Sequence, residues 1–229
     1  MNHLFEGNTE AVFFDLDGTL VDTAPDMVEA LQDLQRSHDI EPVTYALGRS
    51  HVSNGAMGLL ALAFPDEEIS PDSSLVCEFI DRYKEQVCDK SSIFAGLETL
   101  LDELDAASLP WGVVTNKPSH LTAPILATLG LADRSVCTVS GDTLPFRKPD
   151  PAPLLHACQM ADVAPDDCIY VGDAIRDIEA GERAGMATIA AAYGYIVDTD
   201  NPRDWGANEI VGDPAELTQM ILKAVNLAE

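Results

Sequence analysis

The sequence predicts an α/β fold: a doubly wound parallel sheet interrupted by an inserted helical cap. Three observations carry that prediction. Short, almost wholly apolar runs recur along the chain, segments with helical spacing separate them, and one long stretch near the N-terminus contains helical patterns alone. Apolar strands alternating with helices indicate a parallel sheet covered on both faces. Ligands of such sheets bind beyond the carboxyl ends of the strands, where the strand order changes direction.

The first run, Ala11-Val-Phe-Phe-Asp15, ends on a carboxylate and is followed by Gly18, the pattern of a buried strand entering a turn. Comparable runs span 111–115, 135–139, 168–171 and 187–191. Between them Leu97, Leu100, Leu101 and Leu104 share one helix face, as do Leu121, Ile125 and Leu129. Pro124 predicts a late start or a kink in the second of these helices. From about Thr23 to Ser92 the alternation stops. Helical patterns cover 26–37, 55–64 and 73–87, punctuated by Phe64-Pro-Asp and Ser70-Pro-Asp. The expected organisation is a core formed by 1–22 and 93–229 with a helical cap over 23–92.

A chain of 229 residues is long enough to bury such a core. Thirteen basic residues against thirty-nine acidic ones give a formal charge of -26. That field repels nucleic acid and anionic membranes, so neither is expected as a partner. It repels a phosphorylated substrate as well, and an enzyme for one would need concentrated positive charge at its site or a bound cation. Five scattered cysteines without CxxC spacing fit a reducing compartment, and the sequence shows neither a leader pattern nor a long apolar stretch. A cytoplasmic protein is the expectation.

Four segments at expected strand ends carry reactive groups. Asp15-Leu-Asp-Gly-Thr19 sets Asp15 and Asp17 two residues apart beside a glycine. Two close anions need a shared proton or a cation, most naturally Mg²⁺, although Asp-Gly pairs also form ordinary turns. Thr115 and Asn116 offer a hydroxyl and an amide to phosphate oxygens, or cap the next helix. Lys148, in Phe146-Arg-Lys-Pro-Asp-Pro151, stands just before a helix start and either neutralises phosphate or sits in a solvated loop. Asp173 and Asp177, in Gly172-Asp-Ala-Ile-Arg-Asp177, are four apart and can face one point from a helix's first turn. They would complete an oxygen-rich cation site with Asp15 and Asp17, or serve the helix dipole alone.

Taken together and in this order, the DLDGT, VVTN, RKPDP and GDAIRD segments resemble the motifs of the haloacid dehalogenase superfamily of phosphatases. The resemblance spans about residues 11 to 195 and implies a Rossmann-like core, Mg²⁺ as cofactor and a small phosphorylated metabolite as substrate. It implies that Asp15 attacks phosphorus and that Asp17 first protonates the leaving alcohol and then activates water. Asp15, the main-chain carbonyl of Asp17 and Asp173 would hold the metal, with Asp177 assisting from behind. Thr115, Asn116 and Lys148 would bind the phosphoryl oxygens.

The acid at Asp17 distinguishes the chain from the dehalogenases and phosphonate-cleaving members of that superfamily, but not from its sugar-phosphate mutases. The cap segment Gly48-Arg-Ser-His-Val-Ser-Asn-Gly-Ala56 looks like the specificity segment of phosphoglycolate phosphatases and of N-acetylmuramic acid 6-phosphate phosphatases. Its Val-Ser-Asn-Gly-Ala run leans toward the latter. Arg49 is expected to pair with a substrate carboxylate, with Ser53 and Asn54 beside it, although a helix-capping loop with an exposed arginine would read the same. A signalling receiver also combines acid pairs, Thr and Lys on a parallel sheet, but it is shorter and has no cap. The sequence leaves the choice between monomer and homodimer open.

Overall fold

A computed structural model of the chain describes residues 9–227. The first part of the chain forms β1 (Ala11–Phe14), β2 (Val21–Asp22), α1 (Ala24–Ser37), α2 (Tyr45–Ser50), α3 (Gly55–Ala63), α4 (Ser74–Glu85) and β3 (Ser92–Ile93). There follow α5 (Leu97–Ala106), β4 (Trp111–Val114), α6 (Ser119–Thr128), β5 (Thr138–Val139) and α7 (Ala152–Ala161). The last elements are β6 (Cys168–Gly172), α8 (Ile175–Ala184), β7 (Ala187–Ala191), β8 (Glu209–Val211) and α9 (Pro214–Ala224).

Six strands form one parallel sheet in the order β5-β4-β1-β6-β7-β8. The central strands are apolar throughout because both faces are covered. Val12 and Phe14 of β1 enter a cluster with Leu100 and Leu104 of α5, Ile125 of α6 and Ile221 of α9. Ala11 and Phe13, pointing the other way, pack with Leu154 and Ala157 of α7 and Ala180 of α8. The period of two along β1 thus feeds two helical layers, the α/β arrangement expected from the sequence.

The run expected over 135–139 is a strand only at Thr138–Val139. It lies at the sheet edge, where Val136 is 41% exposed, so one side has no neighbour to extend the ladder. The helix containing Pro124 begins at Ser119, so the late start does not occur. Helices α2 and α9 and the short strands β2, β3 and β8 had no counterpart in the sequence reading.

Strands β2 and β3 pair antiparallel, Val21 with Ile93 and Asp22 with Ser92, where the chain leaves the sheet and returns to it. Buried Asp26 braces the same crossing by accepting from Lys90 N at 2.9 Å and Ser91 N at 2.8 Å. Between the two strands lie α1 to α4, whose Leu31, Leu34, Leu59, Leu60, Phe79 and Tyr83 form a separate apolar cluster. This helical unit stands over the carboxyl end of the sheet.

Candidate active site

The chain visits β4 and β5 on one side of β1, then β6, β7 and β8 on the other. The change of direction leaves a crevice at the carboxyl end of β1, and the four reactive segments open into it. Asp15 follows β1 directly, Thr115 follows β4, and Asp173 follows β6. Gly18 turns the chain at φ +82, and a Cβ there would run into Asp173 Oδ2. Gly194 is equally constrained, since its Cβ would collide with Asp173 Cβ.

Three buried carboxylates gather at this point. Asp15, Asp173 and Asp177 each offer an oxygen, all within 4.8 Å of one another. Asp173 Oδ2 accepts from Ser53 Oγ at 2.6 Å and from Tyr195 N at 2.8 Å, while its Oδ1 is buried without a partner. Burial, with the charges of Asp15 and Asp177, pushes the Asp173 carboxyl up to about 8. Burial also raises Asp177, against the opposing pull of Lys148. Three carboxylates buried so close together, one with an orphaned oxygen, fit a hard divalent cation.

Lys148 and Arg176 bring positive charge to the cluster, and Lys148 touches it directly. Its Nζ is fully buried 3.0 Å from Asp15 Oδ1 and 2.7 Å from Asp177 Oδ1, and it donates to Val114 O at 2.9 Å and Tyr170 Oη at 2.6 Å. Of the two sequence readings of Lys148, the solvated loop is therefore excluded. Asn116 also lines the cavity, and its side chain has a further task. Its Nδ2 donates to Lys148 O at 2.9 Å and its Oδ1 accepts from Lys148 N at 3.0 Å, so both ends of the amide hold the lysine's main chain. Thr115 is buried at the cavity wall, its Oγ1 accepting from Lys117 N at 3.2 Å.

Asp17 carries a partner that sequence reasoning did not assign. Its Oδ1 accepts from Lys117 Nζ at 2.9 Å and from Thr23 Oγ1 at 2.5 Å. Lys117 lies against Met27 and under the Tyr83 ring, 4.7 Å from its centroid. Burial works against the ammonium, but Asp17 and Tyr83 outweigh it and hold Lys117 above the usual lysine range. Burial and Asp17 push the Tyr83 hydroxyl up to about 12 despite Lys117. The signal was present in Val-Val-Thr-Asn-Lys117, since the chain has five lysines in all and this one stands two residues beyond Thr115.

A cavity of 530 Å³ opens from these groups toward the helical unit. Asp15, Asp17, Thr115 and Lys117 line its inner end, and Val76, Phe79, Ile80 and Tyr83 form an apolar wall. Ser53, Asn54, Arg147 and Arg176 also line it. Arg49 does not line this cavity, contrary to expectation. Its guanidinium turns to the core, donating to Gly194 O at 3.3 Å and Tyr193 O at 3.4 Å and lying 4.8 Å from the centroid of the Tyr195 ring. Carbonyl oxygens and an aromatic face satisfy the charge there, and the arginines near the cavity are instead Arg147 and Arg176. Among the described residues, no helix is long and apolar enough to cross a membrane.

The sequence profile of haloacid dehalogenase-like hydrolases matches residues 9–185. The chain is 43% identical to the N-acetylmuramic acid 6-phosphate phosphatase of Pseudomonas aeruginosa, over 94% of this chain and 96% of that one. It is 42% identical to the phosphoglycolate phosphatase of Xylella fastidiosa, over 91% of each. The crystal structure of a predicted phosphoglycolate phosphatase from Haemophilus somnus superposes with a TM-score of 0.82 at 27% identity, covering 93% of this chain and 97% of that one. With its sheet order, its acid cluster and these likenesses, the chain belongs to the haloacid dehalogenase-like hydrolases.

Proposed function

We propose that this phosphoric monoester hydrolase is Mg²⁺-dependent, forms an aspartyl-phosphate on Asp15, and acts on a small phosphate ester that carries a carboxylate. The observation that carries the proposal is the convergence of Asp15, Asp17, Thr115, Lys148, Asp173 and Asp177 at one end of the sheet, over which residues 23–92 would act as a cap. Asp15, the main-chain carbonyl of Asp17 and Asp173 would hold the metal. When bound, Mg²⁺ neutralises charge on the phosphate and the carboxylates.

In the first displacement an Asp15 oxygen attacks phosphorus, the ester P–O bond breaks, and Asp17 gives its proton to the departing alkoxide. In the second, Asp17 takes a proton from water as the water oxygen attacks phosphorus. The acyl-phosphate bond breaks, and Asp15 is released as a carboxylate with inorganic phosphate. Thr115 Oγ1 and Lys148 Nζ stabilise the equatorial oxygens in both steps. Asp177, paired with Lys148, fixes the ammonium beside the nucleophile.

Two of the similar proteins carry names that differ in substrate. A cavity of 530 Å³ with a broad apolar wall exceeds the needs of a two-carbon acid and suits an acetylated sugar. We therefore favour N-acetylmuramic acid 6-phosphate over 2-phosphoglycolate, with Arg147 or Arg176 rather than Arg49 meeting the carboxylate. The test compares kcat/KM for the two compounds, the ratio that measures discrimination. A preference of at least about tenfold for the sugar phosphate is expected, equivalent to about 1.4 kcal/mol of transition-state binding. Preference for 2-phosphoglycolate would reverse the assignment.

A further inference from the structure

The cap segment between α2 and α3 reaches the core at the metal-site carboxylate itself. Ser53 Oγ donates to Asp173 Oδ2 at 2.6 Å, and Arg176 Nη2 anchors the same residue by donating to Ser53 O at 2.7 Å. Tyr195 N donates to that Oδ2 from the core at 2.8 Å. Arg49, in the last turn of α2 just before this segment, grips the chain at Tyr193 and Gly194 and covers the Tyr195 ring. Both contacts therefore converge on Asp173 and on the loop that supports it.

The division of labour between the two oxygens of Asp173 is complete. Oδ2 has two neutral donors, one from each side of the crevice, whereas Oδ1 is buried with none. A carboxylate's terminal torsion is soft, so its orientation depends on what its oxygens touch. Gly18 and Gly194 pack against Asp173 without side chains, which leaves the cap as the source of the second donor. A hydroxyl suits this position because it fixes the carboxylate without cancelling the charge that a cation needs.

We propose that Ser53 is a positioning residue for the metal site, holding Asp173 so that Oδ1 is free for the cation, and that cap seating and Mg²⁺ binding thereby strengthen each other. The inference rests on the Mg²⁺ reading given above. Linkage requires the coupling to be reciprocal: whatever factor the seated cap adds to metal affinity, the metal adds to cap seating. It also gives the Arg49 segment a role other than recognising the substrate, since loosening its grip would withdraw Ser53.

The test uses full-length, chelator-stripped protein and reads Mg²⁺ affinity from the magnesium-dependent rise in unfolding temperature, without turnover. Removing an outer partner of a metal ligand typically weakens binding about 10–100-fold. Ser53→Ala and Ser53→Val are expected to weaken Mg²⁺ binding by at least about tenfold, and Ser53→Thr to stay close to wild type. Thr and Val have the same shape, so their difference isolates the hydroxyl even if the alanine variant folds poorly. Asp173→Asn serves as the reference. If it loses Mg²⁺ binding while the Ala and Val variants bind like wild type, the role of Ser53 is overturned and the metal site stands. If Asp173→Asn binds Mg²⁺ like wild type, the metal-site reading itself fails.

Discussion

Replacing Lys117 by Met tests the charge pair that holds Asp17. Nζ lies 2.9 Å from Asp17 Oδ1, with the two side chains 5% and 15% exposed. Met keeps much of the stem that packs on Met27 and Tyr83 but leaves Oδ1 with Thr23 as its remaining donor. Removing one partner of a buried pair costs about 3–5 kcal/mol, because the other charge is stranded. Asp17 borders the cavity, where water can reach it, so the expected loss is near about 3 kcal/mol. For a chain of this size that corresponds to a fall of about 6–12 °C in unfolding temperature. Asp17→Asn should destabilise as well, by stranding the ammonium against apolar neighbours. The double variant removes both charges and should restore most of the loss, since replacing both partners of a buried pair is often neutral. Denaturant unfolding of the four proteins gives the coupling energy directly. Strictly additive losses, with a coupling below about 0.5 kcal/mol, would refute the reasoning. The same Lys117→Met variant should also turn over more slowly, because Asp17 is no longer held in one orientation.

Two further outcomes follow from the site. Chelation should abolish hydrolysis, added Mg²⁺ should restore it, and Ca²⁺ should inhibit because its larger, looser coordination spoils in-line geometry; full activity in thoroughly stripped protein would contradict the metal assignment. Arg49→Ala should lower kcat/KM by a similar factor on p-nitrophenyl phosphate and on a carboxylated substrate, because its guanidinium holds the core loop. A loss confined to the carboxylated substrate would return Arg49 to substrate recognition.

What the sequence made legible follows from what local pattern encodes. The buried strands β1, β4, β6 and β7 stood out as apolar runs because each has helices on both faces. Of the edge strands, β5 was read too long and β8 not at all, since an edge strand has one neighbour and a mixed composition. Asp15, Asp17, Thr115, Lys148, Asp173 and Asp177 could be singled out because turns at strand ends recur at short, fixed spacings. Lys117 stood beside Thr115 as one of few lysines, but its pairing with Asp17 was not legible, because its environment comes from Asp17, Met27 and Tyr83, segments far apart in sequence. The orientation of Arg49 was not legible for the complementary reason. A cation at the end of a short cap helix can turn toward the cavity or the core, and only the carbonyls of Tyr193 and Gly194 decide which. Asn116 shows the same limit, since nothing local in Thr-Asn-Lys says that its amide will be engaged by the main chain at Lys148.

The central claim is that phosphoryl transfer passes through Asp15, and trapping the covalent intermediate tests it most directly. Asp17→Asn should slow the water-dependent step and let the phospho-enzyme accumulate. Mixing this variant with Mg²⁺ and substrate, quenching in acid and reducing with borohydride converts an aspartyl-phosphate to homoserine, which peptide mass spectrometry then locates. Homoserine is expected at position 15 in the Asp17→Asn variant, none when Asp15→Asn is added, and no turnover by Asp15→Asn alone. Label at any other residue, or wild-type turnover by Asp15→Asn, would contradict it.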